Sequence, residues 1–109
     1  MLNQCVLVGR VKELPDVRKT AQGNTVGKMI LEVDRSFRNE DGVLASDLFQ
    51  VILWKGIAEE CAAVCKPGSV VAVKGRLQAD VYDKNDVRYY NSEVVAEKVS
   101  FISERMKNA

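Results

Sequence analysis

The side chains able to do chemistry in this chain form a restricted set. There is no histidine, which excludes Ser-His-Asp and Cys-His nucleophile arrangements and every imidazole metal ligand. Three cysteines remain, Cys5, Cys61 and Cys65. They are too few for a four-ligand zinc site without carboxylates, and Cys61-x-x-x-Cys65 lacks the usual C-x-x-C spacing. The segment Gly23-Asn24-Thr25-Val26-Gly27-Lys28 approaches a phosphate-binding loop but is one residue short. Met29 also stands where Ser or Thr would hold magnesium. No G-x-G-x-x-G occurs, and the 15 carboxylates show no spacing that singles out an acid/base pair. No metal, cofactor, small-molecule substrate or catalysis is expected.

What does recur is an aromatic ring next to a cation. Arg35 and Arg38 flank Phe37, Lys55 follows Trp54, Arg76 lies six residues before Tyr82, and Arg88 adjoins Tyr89 and Tyr90. Arg10, Lys12, Arg18 and Lys19 crowd the first strand and the loop after it. Unpaired bases offer π-faces worth about 1–3 kcal/mol each when stacked on an aromatic, while cations track the phosphates. Any single Lys or Arg here is explained as well by an ordinary solvated surface; the ensemble carries the argument. The net charge is only +1, from 16 basic and 15 acidic side chains. A domain gripping a polyanion by charge alone would show a clearer basic excess, so stacking has to contribute.

The elements that must position these groups are mostly strands. At 109 residues and 47% hydrophobic, the chain reads as one compact domain able to bury its own core. Apolar runs reach four or five residues, far short of the roughly 18 that span a bilayer, and the amino terminus MLNQCVLVGR carries no basic leader. The odd cysteine count then suits reduced thiols in a cytoplasmic protein. Residues 3–11 and 26–37 read as strands. The turn Asn39-Glu40-Asp41-Gly42, with its Asp-Gly step, returns the chain into 47–54. Ile57, Cys61, Val64 and Cys65 share one stripe of a short helix, stopped by Pro67-Gly68. Residues 69–82 and 87–102 form a long hairpin around 83–86. Three strands, one helix and two strands suit an all-β, five-stranded Greek-key barrel of the OB type, with the helix between strands three and four. Gly9, Gly27 and Gly75 would serve its sharp bends. The alternative is a sandwich with a stray helix.

Alternation then sorts the faces. Val71, Val73, Gly75, Leu77, Ala79 and Val81 form one expected core face, as do Phe49, Val51 and Leu53. Arg76 and Tyr82 fall on the opposite side of their strand. Leu48, Gln50, Ile52 and Trp54 fall opposite the core in theirs, so Trp54 is either displayed as a stacking surface or packed in a subunit contact. Phe37 shares parity with Met29, Leu31 and Val33; only a bulge, or a strand running past the barrel's end, would turn it outward.

In order along residues 1–102, several segments resemble bacterial single-stranded DNA-binding proteins. They are Met1-Leu2-Asn3-Gln4 with Val6-Leu7-Val8-Gly9-Arg10, Val33-Asp34-Arg35-Ser36-Phe37, Val51-Ile52-Leu53-Trp54, Lys66-Pro67-Gly68-Ser69, Lys74-Gly75-Arg76-Leu77-Gln78 and Glu93-Val94-Val95-Ala96. The resemblance implies an OB-fold homotetramer with single-stranded DNA wrapped over its outside, acting in replication, recombination or repair in the nucleoid. The family's stacking rings carry over onto Phe37, Trp54 and Tyr82. The resemblance makes Arg35, Arg76 and Arg88 phosphate contacts, and Lys55, Arg10 and Arg18 join them. The first strand, through Asn3, Cys5 and Leu7, is expected at the subunit interface. Residues 1–103 would be the DNA-binding domain and 104–109 a short tail.

There are departures from the family pattern. Leu48 replaces an aromatic, Asp80 stands where a cation is usual, and Lys19 and Ala21 replace Tyr and Pro. The chain stops at Ala109, short of the family's long linker and acidic tip, and is expected to be a short form. Leu48 and Asp80 leave a second reading open, an accessory, primosomal-type OB protein acting mainly through protein contacts. RNA is a third possible partner.

Overall fold

The computed structural model describes the backbone of residues 1–107 and side chains through residue 104. The chain runs β1 (Cys5–Glu13), β2 (Arg18–Lys19), β3 (Thr25–Arg38), β4 (Leu44–Trp54), α1 (Lys55–Val64), β5 (Val70–Lys84), β6 (Val87–Phe101) and α2 (Ile102–Lys107). The strand order is β1-β5-β6-β4-β3-β2, and an additional β1–β3 pairing closes the five long strands into a barrel. All neighbours are antiparallel except β4 and β6, which meet in parallel through Val51–Val94 and Ile52–Val95. The helix between β4 and β5 is the crossover that makes this parallel contact possible. Closure pairs most strand edges within the barrel, leaving those of the projecting β5–β6 ribbon and of the start of β1. The result is the OB-fold that the element order predicts.

The turns follow from local chemistry. At the β3–β4 tip, Gly42 takes φ +74, and Asn39 Oδ1 accepts from the backbone of Asp41 and Val43. The β5–β6 turn is only two residues, Asn85 and Asp86, at φ 52 and 64. Both types tolerate the left-handed region, and this doubly positive turn matches the twist of the flanking strands. Helix α1 ends at Val64, and Cys65 is already extended, as Lys66 must also avoid helical ψ before Pro67.

The interior is a cluster of Val11, Met29, Leu31, Val51, Leu53, Val71, Val73, Val94 and Ala96, capped by Ala58, Cys61 and Cys65 from the helix end. Phe49 is half-buried. The thiols of Cys61 and Cys65 are thus core fillers, as their spacing predicts. The Cys61 thiol donates to Cys65, and with burial this pushes Cys61 far above its ordinary range while lowering Cys65.

Four expectations need correction. The core face of β5 ends at Gly75, because β1 flanks β5 only as far as Gly75 and β4 flanks β6 only as far as Val94, opposite Leu77; beyond them the β5–β6 ribbon leaves the barrel. Leu77, Ala79 and Val81 are therefore exposed. Ile52, on the outward parity of β4, is only 8% exposed, since Lys28 and Val95 flank it on the neighbouring strands. Gly9 and Gly75 serve close approach of strands rather than bends. A Cβ on Gly9 would run into the Glu32 carbonyl oxygen, and one on Gly75 into that of Val95. Finally, the sequence reading omits β2 and α2. The expected tail from 104 begins within α2, and residues 108 and 109 lie outside the described residues.

Candidate nucleic-acid interface

Trp54 ends β4 and stands at the start of α1 with extended backbone, φ −116 and ψ 144. Its strand partner is Val26. The indole is 39% exposed and outside the interior cluster, so it is displayed on the barrel wall. Leu48, three pleat repeats away on the same side, is also exposed.

Tyr82 lies on the free β5–β6 ribbon, 43% exposed. The two-residue turn sets it opposite Tyr89, and the rings stack with centroids 5.3 Å apart and planes 17° from parallel. Tracing the register from Trp54 through Ile52, Val95 and Arg76 to Tyr82 places all of them on one outward parity. Tyr89 is the partner that sequence reasoning missed. The signal was present: Asn85-Asp86 as the turn, rather than the four residues 83–86, pairs 82 with 89.

Phe37 is 71% exposed. The β3–β4 register shifts between Asp34 and Arg38, so extra β3 residues bulge there. The two extra residues leave the parity at Arg38 unchanged; Phe37 is exposed because the β3–β4 hairpin has run past the barrel's end, where residues 34–44 are exposed on both faces.

The six expected phosphate contacts divide into two sets. Arg10 reaches Glu32 at 3.0 Å and Asp34 at 2.6 Å. Arg35 grips Asp47 through two nitrogens at 3.0 and 2.8 Å. Arg18 pairs with Asp16 and Arg88 with Asp83. Arg76 donates only to the neutral Gln78 oxygen, at 3.0 Å, and Lys55, at φ 53, forms no ion pair among the described residues. Pairing leaves its mark on the acids. The Arg10 guanidinium, with help from the Ser46 hydroxyl, lowers Asp34 to about 2, and Arg35 lowers Asp47. These pairs are exposed, so each is weak and open to competition from a phosphate.

Of the expected interface residues, Asn3 uses its side chain on its own chain, donating to the Leu77 carbonyl and accepting from the Leu77 amide. Cys5 and Leu7 pack against the core. The outward residues of that strand are Val6 and Val8, both exposed. Residues 5–9 pair with β5 on one side, while pairing to β3 begins only at Arg10. One backbone edge of β1 is therefore open there.

A closed five-stranded barrel with exposed rings and cations on its outer wall defines a polymer-binding OB protein. The chain belongs to the single-strand binding protein family, whose model matches residues 2–102. It is 41% identical over 103 residues to Single-stranded DNA-binding protein B of Bacillus subtilis (strain 168), a match covering 94% of this chain and 91% of that one. It is 41% identical over 106 residues to Single-stranded DNA-binding protein 2 of Listeria innocua, covering 96% of this chain and 67% of that one. With Single-stranded DNA-binding protein 2 of Staphylococcus aureus (strain COL) it shares 39% over 109 residues, 99% of this chain and 78% of that one. No helix among the described residues is long and apolar enough to cross a membrane.

Proposed function

We propose that the protein binds single-stranded DNA with little regard to sequence and shields it during replication, recombination or repair. The activity is binding rather than catalysis. The observation that carries this is the outward set of Trp54 and the stacked Tyr82–Tyr89 pair, on one parity with Arg76. Bases stack on Trp54, Tyr82 and Phe37. Arg76 and Lys55 meet phosphates directly, while Arg10, Arg18, Arg35 and Arg88 do so by trading a carboxylate for a phosphate. The accessory reading suggested by Leu48 and Asp80 is not favoured, since family membership and the displayed rings both point to DNA.

The same reading makes 1–103 the DNA-binding unit and places the protein in the cytoplasm with the nucleoid. It also assembles copies, a homotetramer, through the open β1 edge. Supporting this are the exposed Val6 and Val8 beside an unpaired strand edge, since such an edge templates pairing with another chain.

Titration with oligo-dT at low salt tests the function. Trp54 fluorescence should be quenched to a stoichiometric end point, and the affinity should fall as salt rises. Replacing both Trp54 and Tyr82 with Ala, with binding then read by the anisotropy of a dye-labelled oligo-dT, should weaken it by at least tenfold, given about 1–3 kcal/mol per stacked base. Absence of quenching by the unaltered protein sinks the assignment.

A further inference from the structure

Resting on the DNA-binding reading, we infer that Lys28 is a phosphate contact which, with Arg76, fixes where the DNA backbone crosses the barrel. Lys28 pairs with Ile52 across β3–β4, Ile52 with Val95 across β4–β6, and Val95 with Arg76 across β6–β5. These four residues form one row at right angles to the strands, with a cation at each end and two nearly buried aliphatic residues between. At about 4.8 Å per strand, the two cations are about 14 Å apart at their Cα atoms.

Electrostatics separates this row from the four arginines that already hold an acid, and its place beside Trp54 separates it from the other unpaired cations. Arg10, Arg18, Arg35 and Arg88 each hold a carboxylate. Lys28 forms no ion pair among the described residues, and Arg76 bonds only a neutral amide oxygen. A phosphate arriving at this row therefore displaces water and, at Arg76, a neutral amide oxygen, whereas at the other four arginines it must first displace an acid.

Shape adds a second observation. Lys28 lines a groove of about 400 Å³ with Asp16, Arg18, Val26 and Gly27, a size within the usual range of small-ligand clefts. Val26 is the strand partner of Trp54, so the groove adjoins the indole. A base stacked on Trp54 would leave its phosphate within reach of the Lys28 end of the row.

The test is the salt dependence of oligo-dT binding, read by Trp54 quenching, for the unaltered protein and for Lys28→Gln, Lys28→Arg and Lys66→Gln. Each phosphate contact on a single strand contributes about 0.7 to the slope of log K against log salt. Lys28→Gln should lower that slope by about 0.7 per engaged protomer and weaken binding about fivefold at 0.1 M salt. Lys28→Arg should restore both, and Lys66→Gln, on the α1–β5 turn, should change neither. A Lys28→Gln slope equal to that of the unaltered protein overturns the inference. So does a loss that Lys28→Arg fails to rescue, because charge is then not the cause. If the unaltered protein shows no quenching, the DNA-binding reading itself has failed, which is a distinguishable result.

Discussion

Four of the arginines on the outer face, Arg10, Arg18, Arg35 and Arg88, already have an acidic partner. Asp34 illustrates the consequence. It accepts from Arg10 and from the Ser46 hydroxyl, bridging β1, β3 and β4, and its carboxyl sits near 2 instead of the usual 3.8. A depressed folded-state value stabilises the fold above the unfolded value and loses that contribution as pH falls through about 4 toward 2. Asp34→Asn should therefore flatten the loss of thermal stability between those pH values while leaving the behaviour above pH 5 parallel to the parent. Melting curves across pH check this; an unchanged acid limb would show that the pair contributes nothing. Arg10, relieved of one acid in the same variant, becomes more available to a phosphate, so low-salt DNA affinity should rise modestly.

Two elements, β1 and β5, lean on glycines, Gly9 and Gly75, where a Cβ would meet the backbone of a neighbouring strand. At Gly75 the β5–β6 register slips between Lys74 and Gly75, and the ribbon starts its departure from the barrel. A methyl there meets backbone, the Val95 carbonyl, rather than a flexible side-chain tip. Gly75→Ala should cost about 1–3 kcal/mol, the typical range for forcing extra volume into a packed site. Denaturant melts read the loss directly. A variant as stable as the parent would mean that β6 can move aside freely. Because Arg76 and Tyr82 follow Gly75 on the same strand, a shift there should also weaken DNA binding. The ribbon's turn is as specific: Asn85 and Asp86 at positive φ set the pairing that stacks Tyr82 on Tyr89, so a longer turn would separate the rings.

Over the whole molecule, the unsatisfied feature is the first strand. Val6 is 64% exposed beside an open backbone edge, an arrangement that invites a second copy. Replacing Val6 and Val8 with Glu should lower the subunit number seen by light scattering, with an unchanged far-UV spectrum, because neither side chain contributes to the core. If the mass stays the same, assembly uses another surface. Fewer linked sites should also weaken binding to long oligo-dT more than to short, since linked sites gain from effective concentration.

From residue types alone, the chain determines much: the exclusion of histidine chemistry, the alternating strands, the helix between β4 and β5, the turn at Gly42 and the rings set among cations. Each of these is local, written in spacing and in the φ preferences of single residues. Three matters belong to the tertiary structure. They are the point at which the β3–β4 hairpin carrying Phe37 leaves the barrel, the carboxylates that occupy Arg10, Arg18, Arg35 and Arg88, and the register that aligns Lys28 with Arg76 across four strands. The reason is physical: alternation says which side of its own strand a residue occupies, but only closure of the barrel says which residues of distant strands become its neighbours.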